Sequence, residues 1–254
     1  MQTTTTTGAA AIPAPAAPPG KATAALGPAG TPLTVARPDG PVRGGVVVVQ
    51  EAYGARHDLD AVVEMLASWG YLAAAPHLFH RIGDPVFDYD QLDAAISALK
   101  VLRGSEIEAD LRDVLAYLTG AGVDAEQIGM VGFCMGGSIT LWAAAELPVA
   151  AAVTFYGGGI TSSRWDEIPS GLESAANLRA PWLGLYGDLD PSIPPDEVEQ
   201  LRSVLGTSGR AATIVRFPEA GHGFAMDPPG GRYVPEAAKE AWTRTSNWFD
   251  AHLR

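Results

Sequence analysis

From about Thr31 onward the apolar positions fall into two alternating kinds of segment, short β-branched runs and longer stretches with helical spacing. The run Val46-Val47-Val48-Val49-Gln50 has no polar face, which predicts a central strand buried on both sides. Helical spacing over residues 57–69 ends at Gly70, and a short strand is predicted over 71–75, stopped by Pro76. Residues 77–83 read as a loop. Two helical patterns follow, 89–102 and 105–118, separated by Gly104. Further strands are predicted at 127–133, 149–156, 182–186 and 213–217. Helices are predicted after Gly136 and over 195–205 and 234–253, while 157–180 reads as an irregular, pocket-lining excursion. Strands alternating with helices predict an α/β fold, a central and mostly parallel sheet with helices on both faces.

Composition narrows the classes of function. A chain of 254 residues suits one large domain, expected over residues 31–254. Residues 1–30, rich in Thr, Ala, Pro and Gly, read as a flexible low-complexity tail without the basic and Leu-rich regions of a secretory signal. A formal net charge of −12 disfavours nucleic acid and anionic membrane surfaces as partners. A membrane-spanning helix needs roughly 20 consecutive apolar residues, and no stretch approaches that. The single cysteine cannot form an internal disulfide, so a cytoplasmic location is the expectation.

That cysteine sits in Gly132-Phe133-Cys134-Met135-Gly136-Gly137, between a predicted strand and a predicted helix, in the pattern of a nucleophile elbow with Cys in place of Ser. A side chain at such a tight turn takes a strained backbone, and its neighbours two residues away must lack Cβ. The turn sets Cys134 at a helix N-terminus, where free N–H groups favour an anionic sulfur. The plain alternative is a small buried hydrophobe, the usual fate of a lone cysteine.

A thiol nucleophile needs a base, and the base an orienting carboxylate. Asp190 follows a predicted strand in Gly187-Asp188-Leu189-Asp190-Pro191, and His222 follows the next in Glu219-Ala220-Gly221-His222-Gly223-Phe224. All three groups then emerge at one edge of the sheet, where open α/β folds bind ligands. Asp188 competes for the acid role; a G-x-x-D arrangement selects Asp190 and leaves Asp188 as a turn residue. His77 and His80 have no nearby third ligand, so no metal site is expected. His57 reads as a helix-start residue and His252 as part of the last helix.

Four motifs in order, Gln50-Glu51-Ala52-Tyr53-Gly54, Gly132 to Gly137, Gly187 to Asp190 and Gly221-His222-Gly223-Phe224, resemble the dienelactone hydrolase family of the α/β-hydrolase superfamily over roughly residues 40–253. The resemblance implies an ester or lactone hydrolase of small molecules that uses Cys134, Asp190 and His222 and no metal or organic cofactor. It also implies that Glu51 contacts the resting cysteine and is displaced by substrate. A carboxylate there opposes ionisation of the thiol and so protects it from oxidation. The otherwise ordinary reading of Glu51 is a capped or salt-bridged loop carboxylate. The implied oxyanion hole is the backbone N–H pair of Ala52 and Met135. Tyr53, Tyr156, Trp182 and Phe224 border strand ends or loops of the site, and either pocket lining or core packing suits each; Tyr53, Tyr156 and Phe224 are taken as substrate-binding.

One departure changes the expected substrate. The family grips a substrate carboxylate with arginines, one of them shortly after the histidine. Here that place is held by Met226, and residues 87–102 contain no arginine. Arg56 and Arg81 are the candidates to compensate, surface roles being the alternative for both; a substrate other than a carboxylated dienelactone is therefore expected. Two other classes stay open from sequence: a non-catalytic binding protein on the same fold, and an acyltransferase that passes the acyl group to an alcohol or amine.

Overall fold

The computed structural model describes residues 20–226 and 232–253. Among these residues eight strands form one sheet: β1 (Thr23–Leu26), β2 (Pro32–Ala36), β3 (Gly45–Val49), β4 (Leu72–Pro76), β5 (Ile128–Phe133), β6 (Ala151–Phe155), β7 (Trp182–Gly187) and β8 (Ala212–Phe217). Their spatial order is β1-β2-β4-β3-β5-β6-β7-β8. The first two run antiparallel to their neighbours and every pair from β4 to β8 is parallel. The four valines of β3 lie between β4 and β5, each fully buried, as a strand without a polar face requires.

Among the described residues seven α-helices accompany the sheet: α1 (His57–Ser68), α2 (Leu92–Leu99), α3 (Gly104–Gly120), α4 (Met135–Glu146), α5 (Gly171–Ala176), α6 (Pro195–Leu205) and α7 (Pro235–His252). Trp69, just past α1, meets Trp242 of α7 edge-on at 6.1 Å. Trp242 also covers Phe133 at 5.7 Å and Phe155 at 4.8 Å, the cross-strand pair at the ends of β5 and β6. Aromatic packing thus fixes the strand end that carries the elbow. Among the described residues no helix is long and apolar enough to cross a membrane.

Several sequence expectations need correction. The tail expected over residues 1–30 is too long, because Thr23–Leu26 pairs with the backbone of β2 in the register Thr23↔Val35 to Leu26↔Pro32; the first nineteen residues lie outside the described residues. This hairpin is anchored by buried Asp113 of α3, which accepts from the backbone N–H of Ala29 at 2.7 Å and of Thr31 at 2.9 Å. The helix expected over 89–102 shrinks to Leu92–Leu99. Pro76 does not stop β4 but closes it, facing Leu33 of the antiparallel β2. Within the supposedly irregular 157–180, Ser170 and Glu173 form a capping box that starts α5.

Candidate active site

The parallel strands β3, β5, β6, β7 and β8 all deliver their C-terminal ends to one edge of the sheet. There Cys134 joins β5 to α4 with φ 54° and ψ −115°, outside the regions an L residue prefers. The turn is possible because its neighbours are glycines. A Cβ on Gly132 would collide with the carbonyl oxygen of Gly136, and one on Gly136 with those of Val49 and Gln50. The Cys134 N–H is fixed to the Phe155 carbonyl at 3.1 Å, and the half-buried side chain sits at the first turn of α4.

His222 follows β8 and donates its Nδ1–H to Asp190 Oδ2 at 2.6 Å. Its imidazole is near enough to the Cys134 sulfur for the two to interact electrostatically. Asp190 is 3% exposed, and its other oxygen accepts from Ser192 N at 2.8 Å and Ser192 Oγ at 2.7 Å. Asp188, the competing carboxylate, is instead bound to Arg216 at 2.7 Å. Burial opposes a charged imidazole, but the Cys134 sulfur and the Asp190 carboxylate together outweigh it and lift His222 to about 10. Burial also works against the Asp190 carboxylate, yet hydrogen bonds from His222 and Ser192 hold it below its ordinary value.

A histidine raised in the folded state lends stability that is complete below about pH 6.5 and disappears as pH climbs through about 10. Exchanging Asp190 for asparagine removes one of the raising partners. Asp190→Asn is therefore expected to lose on the order of 1–2 kcal/mol relative to the parent near pH 6, with the gap closing toward pH 10.5. Urea unfolding across that range checks it; a gap that is constant with pH would refute the linkage.

Glu51 sits just beyond β3, 8% exposed, with Oε1 lacking a partner among the described residues. Burial pushes its carboxyl above the usual range, against a hydrogen bond with Tyr89 and the positive charges of Arg232 and His222. The loop is tight: Gly54, at φ 90°, has no room for a Cβ against the Pro85 carbonyl, and Phe87 N–H donates to Tyr53 O at 3.0 Å. The N–H of Ala52 is not taken by a backbone carbonyl among the described residues, and that of Met135, first in α4, has no intrahelical acceptor.

The aromatic candidates separate by position. Tyr53 is 6% exposed and meets Tyr89 edge-on at 4.7 Å. Phe224 is fully buried among Phe155, Tyr156 and Phe217. Trp182 is equally buried and donates from its indole N–H to Thr154 Oγ1 at 3.0 Å, a core role. Tyr156 is buried against His222, with ring centroids 4.9 Å apart.

Both arginines weighed from the sequence are already paired with carboxylates. Arg81 grips Asp110 with two hydrogen bonds of 2.6 and 2.9 Å, and Arg56 is held by Asp58, Asp88 and the Phe87 carbonyl. Arg56 also lies over Tyr89, 4.6 Å from its ring centre, and among the described residues Arg232 joins it there, its guanidinium 4.4 Å from the centre of the Tyr89 ring and 5.9 Å from that of Tyr53. Sequence reasoning missed Arg232 because it looked four residues past His222, whereas this arginine arrives ten residues on, just ahead of α7. Ser192 was missed too, although Asp-x-Ser is a readable turn pattern. His77 bonds Thr34 and Asp84, His80 bonds Asp110, and among the described residues no cluster of His, Cys, Asp or Glu is arranged to hold a metal ion.

Comparison with known proteins adds three findings. The family model described as "Dienelactone hydrolase family" matches residues 32–253. Proteins named "Putative carboxymethylenebutenolidase" are similar to this chain: that of Salmonella typhimurium is 38% identical over 206 residues, 80% of this chain and 76% of the relative. That of Escherichia coli strain K12 is 36% identical over 206 residues, 80% and 75% of the two chains. The crystal structure of a "Putative Dienelactone Hydrolase" from Klebsiella pneumoniae aligns with a TM-score of 0.82 at 36% identity, covering 91% of this chain and 98% of that one.

Proposed function

The chain belongs to the dienelactone hydrolase family, and from that premise we propose that it hydrolyses an ester or lactone bond of a small molecule through a thioester on Cys134. The observation that carries this reading is a sulfur on a positive-φ elbow whose charge acts on an imidazole held through its Nδ1 by a buried carboxylate.

In the proposed reaction His222 holds the proton of the Cys134 thiol, and the sulfur attacks the acyl carbon. A C–S bond forms while the carbonyl π pair moves onto oxygen, where the N–H groups of Met135 and Ala52 receive it. Collapse breaks the C–O bond, and the imidazolium of His222 delivers its proton to the departing oxygen. Water then attacks the thioester with His222 as base, releasing the acid and restoring the thiol. Asp190 keeps the Nδ1 proton in place and stabilises the imidazolium, and Ser192 steadies Asp190. Glu51, raised by burial, is the group substrate displaces. Because a thiolate is itself a good leaving group, aryl esters, enol lactones and thioesters are favoured over alkyl esters.

Arg232 narrows the substrate class. A guanidinium beside two tyrosines suits a carboxylate, which it can bind through two parallel hydrogen bonds. It supplies the cation missing at Met226, so a lactone bearing a carboxylate, the class in the relatives' name carboxymethylenebutenolidase, fits the site better than the position of Met226 alone implied. The test is an ester and lactone panel run beside Cys134→Ala: turnover of aryl esters and lactones is expected, and no turnover above that background overturns the reading. Arg232→Met is expected to cut the preference for a carboxylated over a neutral lactone by about tenfold or more, the scale of a charge-assisted hydrogen-bonded pair. An unchanged preference would remove Arg232 from substrate binding.

A further inference from the structure

Tyr156 combines two unfavourable features. It follows β6 at φ 39°, a left-handed backbone that non-glycine residues seldom adopt. Its side chain is fully buried, yet its hydroxyl has no hydrogen-bond partner among the described residues. Phenylalanine would fill the same space without stranding a donor, so the O–H is kept at a cost to stability.

The surroundings say where that hydroxyl acts. The ring lies 4.9 Å from His222 and 5.6 Å from Phe224, and the charged or ionisable groups that influence the phenol are Glu51, Cys134, Tyr89 and Arg232. Glu51 Oε1 is a second buried atom without a partner at the same cluster. Tyr186 is the contrasting case. It is equally buried with an orphaned hydroxyl among the described residues, but burial alone perturbs it.

We propose that the Tyr156 hydroxyl donates a hydrogen bond to the leaving-group oxygen while the acyl C–O bond breaks, once substrate has displaced Glu51; the inference rests on the thioester reading above. The C–S bond is already formed at that point, the C–O pair passes to the departing oxygen, and the proton that neutralises it comes from His222. Tyr156 keeps its own proton, since burial holds the phenol well above its ordinary range. It acts by stabilising developing negative charge in a site shielded from water, where one well-placed donor has a large effect.

The test uses Tyr156→Phe and Tyr186→Phe with p-nitrophenyl acetate, phenyl acetate and dihydrocoumarin, reading kcat/KM and thermal midpoint. A p-nitrophenolate disperses its charge and needs little help, whereas phenolate oxygen concentrates it. Tyr156→Phe is expected to lose about tenfold on phenyl acetate and dihydrocoumarin but under about threefold on p-nitrophenyl acetate, with a thermal midpoint equal to or above the parent's. Tyr186→Phe is expected to match the parent on all three. Equal losses on all substrates would mean that Tyr156 only props His222, and no loss would mean that its hydroxyl is idle; either overturns the inference. Cys134→Ala in the same assay separates the two levels. Activity surviving in it contradicts the thioester reading, whereas a dead Cys134→Ala beside an unaffected Tyr156→Phe contradicts only the role of Tyr156.

Discussion

Replacing Cys134 by alanine is expected to lower kcat/KM for p-nitrophenyl acetate by about 10⁴-fold or more, because members of a nucleophile–base–acid unit act together and loss of the nucleophile removes the covalent route altogether. The fold should survive the change. Alanine fills less space than cysteine at a half-buried position, and any residue with a Cβ meets the same strain at φ 54°. On the proposed mechanism, what remains after the substitution is the contribution of the oxyanion-binding N–H groups and of substrate placement. Initial rates with matched circular dichroism decide the matter. A loss below about tenfold in a folded Cys134→Ala would show that the sulfur is not the nucleophile.

Gly136→Ala is the second large effect, and it acts on folding. Alanine is ordinarily the better helix residue, by about 1 kcal/mol. At this position the new Cβ would press on the carbonyl oxygen of Val49 and lie 2.5 Å from that of Gln50, both backbone atoms at the end of β3. Neither can swing aside as a side chain can, so α4 must shift away from the strand that delivers Glu51. A destabilisation of about 3–5 kcal/mol is expected, at the upper end for single substitutions. Gly120→Ala, at the end of α3 where an added methyl would meet nothing within 4 Å, serves as the control and is expected to be neutral or slightly stabilising. Denaturant midpoints for the two variants test this directly; equal midpoints would mean that the elbow tolerates a side chain there.

How much was legible in the sequence follows from the range over which each signal acts. The buried strand β3 announces itself in four consecutive valines, and the elbow in glycines whose spacing a tight strand-to-helix turn dictates. Asp190 and His222 could be placed at one edge because parallel strands carry successive C-termini to the same side. Strands β1 and β2 were hidden because an edge hairpin of Thr, Ala and Pro has weak alternation, and its stability comes from distant partners: β4 by pairing and Asp113 by hydrogen bonds. Helix α2 was overextended because the apolar residues at its ends, Tyr89 and Leu102, pack against the core from outside the helix.

The polar surroundings of the site were hardest to read. Tyr89 reaches Glu51 and Asp58 from the segment before α2, and Arg232 reaches Tyr89 from the segment before α7, so their meeting depends on the loops between distant elements. The orphaned hydroxyl of Tyr156 leaves no trace in sequence, since Tyr at a strand end is ordinary until its surroundings are known. Asp188 and Asp190 show the same limit from the other side. Their spacing favoured one of them for His222, but the 2.7 Å bond from Arg216 is what gives Asp188 its separate task.

The most direct measurement is mass spectrometry of the protein quenched in acid during turnover of p-nitrophenyl acetate. An acetyl group on the peptide that contains Cys134, absent from the Cys134→Ala protein, is the expected result. Steady turnover with Cys134 unmodified, or an acetyl group that accumulates and turns over on another residue, would contradict a thioester mechanism.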